Sequence, residues 1–157
     1  MQKITPFLWF DGRAEEAMKF YTSIFKRSKI REISRFEVEA PGTKSKVVTG
    51  TFELEGQQFM ALNGGPMFEF SPAISFFVTC RTQPEVDYYW RRLSAGGRKQ
   101  QCGWLVDKFG VSWQIIPTAL GRLMGDKDPA KARRVMDAML KMMKLDIKKL
   151  QRAHAGK

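Results

Sequence analysis

The chain nearly repeats itself, and this internal repeat constrains its fold more than any other feature. An aromatic, strand-like segment at 7–10 precedes a helical pattern at 14–25, and a similar segment at 76–78 precedes a second helical pattern at 85–93. Glycine-punctuated, strand-like segments follow each helical pattern. Apolar residues at helical spacing predict a helix, whereas alternating apolar and polar residues predict a strand. The repeat therefore predicts two copies of a strand–helix–strands unit, with functional residues expected at equivalent positions in both.

Capping and turn residues mark where these elements begin and end. Asp11 is predicted to cap the first helix, and Thr82 with Glu85 has the capping-box pattern that opens the second. Strand-like segments on either side of 55–56 and of 108–110 are predicted to pair as hairpins.

These elements add up to an α+β fold of paired βαβββ modules with C-terminal helices. We predict the first module at 1–68 and the second at 69–117, where a short strand near 99–102 completes the set. Pro117 is expected to end the sheet, and 118–157 to form a basic C-terminal helical extension. The parts are expected to form one compact domain overall.

The extension carries the signals of two further helices. Asp128 and Pro129 suit the cap and the first helical position, and Ile147 with Leu150 indicates a last short helix. Apolar residues at helical spacing form one stripe between them: Ala132, Val135, Met136, Met139, Leu140 and Met143. We interpret this stripe as a packing surface for the sheet or for a dimer partner rather than as a cofactor site.

Composition indicates a folded protein that does not enter a membrane. Of the 157 residues, 43% are hydrophobic, yet no apolar run approaches the roughly 20 residues that a membrane span needs. The apolar run at 6–10 is too short for a secretory signal, so we expect a cytoplasmic protein. Cys80 and Cys102 are far apart and have no nearby histidine, which favours two reduced thiols over a disulfide or a metal site.

The positive charge is concentrated at the C-terminal end. The formal net charge is +11, and residues 117–157 hold eleven Lys/Arg against four Asp/Glu. Such a segment can attract nucleic acid, anionic lipid or an acidic partner. We favour the interpretation of a solvated helix face, because no recognised nucleic-acid-reading motif accompanies the charge. A nucleic-acid partner stays open as an alternative that is not favoured.

Four stretches carry a family resemblance: 4–12 together with 14–17, then 61–66, 101–105 and 107–114. They resemble the PhnB-like branch, also called 3-demethylubiquinone-9 3-methyltransferase-like, of the vicinal oxygen chelate superfamily. That superfamily includes glyoxalases, extradiol dioxygenases and bleomycin-resistance proteins. The resemblance implies half-open sheets around a cleft where a divalent metal binds two substrate oxygens. It also implies a homodimer, since superfamily members commonly pair or swap modules.

The resemblance places metal ligands, usually His, Gln or Glu, on the first and last strands of each module. The corresponding positions here are Pro6 or Phe7, then Met60, Ser75 and Gln114, and only Gln114 is a donor of that type. Some members of the branch carry histidine at the place of Phe7, and many at the place of Met67. The sole histidine of this chain, His154, lies in the C-terminal tail. We therefore predict that the chain has no superfamily-type metal site.

The family label also implies a methyltransferase. The chain has no glycine-rich strand-to-helix loop of the kind that holds a nucleotide-like cofactor, and its Gly64–Gly65 and Gly96–Gly97 pairs are typical of turns. We therefore predict no S-adenosylmethionine and no other cofactor. Whether the protein is an enzyme stays open.

An aromatic cleft with a few polar groups remains as the expected binding site. The ligand-binding candidates are Trp9, Phe52, Asn63, Met67, Cys102, Trp104, Trp113 and Gln114. Ordinary core packing is the competing interpretation for the aromatic residues and for Cys102, and a turn for Asn63. No catalytic residue is identified, because Cys102 has no histidine to act as its base.

Three classes of function therefore compete. The favoured one is a metal-independent protein that binds an unidentified small molecule. The alternatives are an enzyme, either a methyltransferase or a metal-dependent lyase of the glyoxalase or dioxygenase type, and a protein that associates with nucleic acid through its C-terminal helices.

Overall fold

The computed structural model describes residues 2–157, apart from the side chains at 40 and 43–45. The chain divides into two compact units, Met1–Phe70 and Ser71–Lys157. Unit 1 contains one helix and four strands: β1 (Phe7–Phe10), α1 (Ala14–Ile24), β2 (Lys29–Ala40), β3 (Thr43–Leu54) and β4 (Gln57–Asn63). Unit 2 begins with the same succession: β5 (Ser75–Cys80), α2 (Gln83–Ser94), β6 (Arg98–Lys99), β7 (Trp104–Val106) and β8 (Ser112–Pro117).

The two units have the same sheet topology. The strand order is β1-β4-β3-β2 in unit 1 and β5-β8-β7-β6 in unit 2. In each unit the first strand along the chain pairs in parallel with the last, β1 with β4 and β5 with β8. The other strand pairs are antiparallel. This topology confirms the predicted α+β fold of two βαβββ modules.

One face of each sheet packs against the helix of its own unit, because side chains alternate between the two faces of a strand. In unit 1 Tyr21 of α1 is fully buried and stacks on Phe52, which stacks in turn on Phe59. In unit 2 the fully buried residues include Val86 and Leu93 of α2, together with Leu105 and Ile115 of the sheet. The opposite face of each sheet is thereby left for other contacts.

The two helices obtain their N-terminal caps in different ways. Thr82 caps α2 as predicted, since its side chain accepts a hydrogen bond from the Glu85 backbone N–H. The prediction for Asp11 is wrong: Arg13 occupies the N-cap position of α1 and makes no capping hydrogen bond with its side chain. Instead, Asn63 at the end of β4 accepts a hydrogen bond from the Ala14 N–H at 2.7 Å. A residue 49 positions away therefore satisfies an N–H that the helix leaves unpaired.

The segment after β8 forms three helices: α3 (Thr118–Met124), α4 (Pro129–Leu140) and α5 (Ile147–Ala155). Asp128 caps α4 as predicted, whereas α3 was not predicted. A buried apolar cluster joins these helices to the end of β8: Ile116, Leu120, Leu123, Val135, Leu145 and Leu150. The extension is therefore part of the core of unit 2.

Two details of unit 2 differ from the sequence-based expectation. The strand expected near 99–102 is only the two-residue β6, followed by a short 3-10 helix, Gln101–Gly103, because the N–H groups of Cys102 and Gly103 donate to the carbonyls of Met142 and Met143. The apolar stripe predicted over 132–143 is also divided. Val135 and Met139 pack on the cluster, while the side chains of Met136, Leu140 and Met143 are exposed.

None of the helices among residues 2–157 combines the length and the apolar character needed to cross a bilayer.

Candidate ligand-binding site

The open face of the unit 2 sheet forms the floor of a cavity of about 460 Å³. The cross-strand register places Phe77, Gln114 and Trp104 side by side, and Thr79 beside Ile116, so these side chains share one face. All five line the cavity. We call this space the unit 2 cavity.

The C-terminal extension supplies the wall of the unit 2 cavity. Thr118, Leu120, Gly121 and Met124 of α3 line it, together with Met139 of α4. Pro117 ends β8 at this point, and α3 starts at the next residue, so the chain turns directly from the floor into the wall.

A few polar groups stand among the apolar ones. The Gln114 side-chain N–H donates to the Ser75 hydroxyl at 2.9 Å, which leaves the amide carbonyl oxygen as an acceptor. The Trp104 indole N–H has no protein partner among residues 2–157, so it is an available donor. The Cys102 thiol donates to the Met139 carbonyl, with 3.7 Å between sulfur and oxygen.

Three of the predicted candidates therefore lie together in the unit 2 cavity: Cys102, Trp104 and Gln114. Two others lie in the cores of their units. Phe52 is fully buried, and Trp113 is 3% exposed with its indole N–H donating to Asp107 at 2.9 Å. Their side chains are enclosed by protein, which agrees with the competing interpretation of core packing.

The other three candidates lie in unit 1, where two have local structural contacts. The Trp9 indole donates to the Gly65 carbonyl at 2.9 Å, and its ring covers Gly64 so closely that a Cβ there would collide with it. Asn63 caps α1. Met67 is 75% exposed in the loop that follows. None of these three lines the unit 2 cavity.

Sequence reasoning missed part of the cavity floor and most of the cavity wall. Phe77 and Thr79 alternate along β5 on the same face as Gln114, so the strand period was a usable signal for them. No comparable signal marked Gly121, because α3 spans only Thr118–Met124 and its position depends on packing against β8.

The positions that hold metal ligands in the superfamily do not fit a metal ion here. In unit 1 Phe7 pairs with Met60, and neither side chain offers an oxygen or nitrogen ligand. In unit 2 Gln114 and Ser75 hydrogen-bond to each other. The His154 ring nitrogen lies 2.7 Å from an Asp126 carboxylate oxygen. Across residues 2–157 no group of three His, Cys, Asp or Glu side chains converges as a metal site would require.

The glycine pairs likewise do not form a nucleoside-binding loop. Gly64 lies under the Trp9 ring, and Gly65 has a left-handed backbone with φ of 91°. Gly97 approaches β7 so closely that a Cβ would collide with the Val106 carbonyl oxygen. These glycines serve a turn and close packing, and neither pair is the loop from a strand into a helix that holds such a cofactor.

Comparisons with known proteins agree with the topology. A family model described as 3-demethylubiquinone-9 3-methyltransferase matches residues 2–116. The structure of the PhnB protein from Bacillus cereus is similar with 43% identity and a TM-score of 0.67, covering 74% of this chain and 100% of that chain. The fold also resembles that of protein PA1353 from Pseudomonas aeruginosa, with 20% identity and a TM-score of 0.62, over 74% of this chain and 98% of that chain. No curated protein is similar enough to count as a match.

The family model and the sheet topology therefore describe the same part of the molecule, the two βαβββ modules. Helices α3, α4 and α5 lie beyond the matched residues. The chain belongs to the 3-demethylubiquinone-9 3-methyltransferase-like family, the PhnB-like branch of the vicinal oxygen chelate superfamily.

Proposed function

We propose that this protein binds a small organic molecule in the unit 2 cavity without the help of a metal ion. The observation that carries the proposal is the cavity itself. Its volume of about 460 Å³ falls within the range of about 300–1,000 Å³ that is usual for ligand pockets. Aromatic and aliphatic side chains line it, with the Gln114 amide and the Trp104 N–H as orienting groups.

The chemistry of the site favours binding over catalysis. A cysteine nucleophile needs a base within hydrogen-bonding distance, and the Cys102 thiol donates instead to a backbone carbonyl. Of the side chains that line the cavity within residues 2–157, none is a histidine, lysine or carboxylate that could move a proton. The methyl transfer named in the family description has no corresponding cofactor loop in this chain.

We expect the protein to act in the cytoplasm as a homodimer. Both cysteines are free thiols, which suits a reducing compartment. Large apolar side chains stay exposed in both units, including Phe7 and Phe36 in unit 1 and Ile74 and Leu140 in unit 2. Exposed apolar surface of this kind favours association with a second copy.

A nucleic-acid role is the second candidate, and one observation favours it. Lys148, Lys149 and Arg152 are exposed together on α5. Removal of the chain after Pro117 would not test this role, because it would also remove most of the buried cluster. Reversal of these three charges to Glu is the better test. A nucleic-acid role predicts binding that weakens steeply with salt and is lost in the triple variant.

The small-molecule proposal is tested by native mass spectrometry of the untagged protein, followed by metal analysis. We expect a bare protein or one that carries an organic passenger, with no stoichiometric Ni, Zn, Mn or Fe. One metal ion per chain would overturn the metal-independent part of the proposal.

A thermal-shift screen of neutral aromatic compounds then tests binding in the unit 2 cavity. Compounds that stabilise the wild type should stabilise Trp104→Leu and Gln114→Ala much less, because these variants remove the proposed orienting groups. The control is Gln57→Ala, an exposed amide at the start of β4 in unit 1. Equal stabilisation of all four proteins would contradict the proposed site. Consumption of a bound compound would favour the enzyme alternative.

A further inference from the structure

The wall of the unit 2 cavity comes from a part of the chain that the family model does not cover. The match ends at residue 116, at the penultimate position of β8. The wall residues Leu120, Gly121, Met124 and Met139 all follow it. The floor is therefore shared with the family, whereas the wall belongs to the extension.

We propose that α3 and α4 form the specificity-determining wall of the unit 2 cavity, with Gly121 setting the size of the ligand admitted. The ligand class is a neutral molecule with an aromatic ring system and one hydrogen-bonding group. This inference rests on the proposed function, because it specifies what the same cavity takes.

The wall is part of the core of unit 2, because Leu120 of α3 and Val135 of α4 belong to the buried cluster that includes Ile116 of β8. The segment that follows α4 is also held by hydrogen bonds to the rest of unit 2. The backbone N–H groups of Cys102 and Gly103 donate to the carbonyls of Met142 and Met143, each at 2.8 Å. Gln83 of α2 adds two further bonds, donating to the Leu145 carbonyl at 3.0 Å and accepting from the Ile147 N–H at 2.8 Å. Because the wall is built into the core, its shape is set before a ligand arrives.

Gly121 is the position where the wall leaves space. A glycine inside a helix costs about 1 kcal/mol relative to alanine, so its presence in α3 calls for a reason. Close packing does not supply one, because a Cβ at Gly121 would meet no atom within 4 Å. Gly103 is different, since a Cβ there would lie 2.8 Å from the Ile115 carbonyl oxygen. Gly121 is exposed and lines the cavity, so its absent side chain leaves open space at the wall rather than admitting a neighbouring backbone.

The lining chemistry selects the ligand class. Phe77 and Trp104 offer ring faces and edges, and the sulfur atoms of Met124 and Met139 make favourable contacts with aromatic rings. Within residues 2–157 no charged side chain lines the cavity, so a charged ligand would lose hydration without gaining a partner. The net charge of +11 would attract anions to the protein surface. A preference for neutral ligands would therefore have to come from the cavity lining and not from the net charge.

The experiment compares three probes by isothermal titration calorimetry on the full chain. 2-Naphthol is a neutral two-ring probe, phenol is a neutral one-ring probe, and naphthalene-2-sulfonate is an anion with the same two rings. The proteins are the wild type, Gly121→Leu, and Arg122→Leu as the control, which places the same side chain one position along α3 outside the cavity lining. Thermal unfolding checks that Gly121→Leu is at least as stable as the wild type, as expected from its higher helix propensity.

We expect Gly121→Leu to weaken 2-naphthol binding at least tenfold and phenol binding less than threefold, with Arg122→Leu within twofold of the wild type for both. The sulfonate should bind the wild type at least tenfold more weakly than 2-naphthol. If the wild type binds 2-naphthol and Gly121→Leu binds it equally well, the role of the wall is overturned and the proposed function stands. Equal binding of the sulfonate would overturn the neutral ligand class. A wild type that binds neither neutral probe would overturn the proposed function and this inference together.

Discussion

At the scale of single residues, the two cysteines show how strongly the surroundings decide a side chain's chemistry. Cys80 is fully buried in β5, and burial raises the pKa of its thiol to about 12. Cys102 lines the unit 2 cavity and is partly accessible. The thiolate is the reactive form of cysteine, so burial protects Cys80 from reagents twice, through exclusion and through its pKa.

We therefore predict that one thiol reacts with Ellman's reagent in the native protein at neutral pH and two react after unfolding. Peptide mass spectrometry should locate the native modification at Cys102, and Cys102→Ser should abolish it. Rapid labelling of Cys80 in the native protein would contradict the burial described above.

Two serines at the ends of paired strands make a second comparison at this scale. Ser112 is 2% exposed, and its hydroxyl has no hydrogen-bond partner within residues 2–157. The Ser75 hydroxyl, on the neighbouring strand, accepts from Gln114. A buried hydroxyl without a partner costs about 1–3 kcal/mol, whereas one in a hydrogen bond contributes about 1 kcal/mol.

Ser112→Ala should therefore raise the free energy of unfolding by about 1 kcal/mol, and Ser75→Ala should lower it by a similar amount. Urea denaturation of the two variants and the wild type measures both changes. A loss of stability in Ser112→Ala would mean that its hydroxyl is satisfied in the folded protein.

At the scale of elements, one side chain connects helices that are distant in sequence. Gln83 in the first turn of α2 bonds the Leu145 carbonyl and the Ile147 N–H, and it also donates to Asp87 at 3.0 Å. Its amide satisfies a backbone N–H at the start of α5, one of the groups that a helix leaves unpaired.

Gln83→Ala should lower the free energy of unfolding by about 1–3 kcal/mol, because two backbone groups lose their partners. Hydrogen exchange at the Ile147 amide should accelerate, while exchange in β3 and β4 of unit 1 should not change. Gln151→Ala, an exposed glutamine on α5, is the matched control. Unchanged exchange at Ile147 would show that Gln83 does not hold α5 in place.

The exposed side of α4 belongs to this scale as well. Met139, which the sequence placed on one stripe with Leu140, faces the cluster and lines the cavity, so a charge there would disturb the core of unit 2. Leu140 is 56% exposed and tests the dimer without that complication.

If α4 lies in the proposed dimer interface, Leu140→Glu should convert the dimer to monomer in sedimentation velocity, because a buried carboxylate without a partner opposes association. Ala130→Glu, an exposed substitution in the first turn of the same helix, should leave the dimer intact. A dimer that persists in Leu140→Glu would remove α4 from the interface.

At the scale of the whole molecule, paired carboxylates link stability to pH. A hydrogen bond from the Lys19 side chain is the largest cause that lowers the pKa of Glu15, and one from Arg35 comes next. The pKa of Asp87 is lowered chiefly by a hydrogen bond from Lys144 and then by one from Gln83. The Asp128 backbone N–H and then His154 lower the pKa of Asp126. A carboxyl group whose pKa is lowered by folding stabilises the protein above its unfolded pKa, and this contribution is lost as pH falls through the folded pKa.

The free energy of unfolding should therefore be highest near neutral pH and fall as the pH drops from about 5 toward 2. Urea denaturation at pH 7, 5, 4 and 3 measures the fall. Lys144→Met should make it shallower, because it removes the main cause of the lowered pKa of Asp87. Constant stability down to pH 3 would contradict the role of these pairs.

Local patterns determined most of the elements from the amino-acid sequence alone. Helices α1, α2, α4 and α5 and both hairpins follow from apolar spacing, caps and glycine turns, which act over a few neighbouring residues. Elements defined by distant partners were not predicted. Helix α3 and the 3-10 helix at Gln101–Gly103 depend on contacts with the C-terminal segment, and the cap of α1 comes from Asn63.

The candidate site also has features that the sequence predicted and features that depend on packing between distant segments. The sequence by itself determined that Gln114 and Trp104 belong to one hairpin. It also determined that Gln114 is the one residue of the usual ligand types among the positions that the resemblance assigns to metal ligands, because residue identity needs no coordinates. Only the tertiary structure decided that Trp113 and Phe52 face their cores and that Gly121 lines the cavity. The face of a strand that meets a helix, and the place where a helix lies on a sheet, arise from packing between segments far apart in the chain.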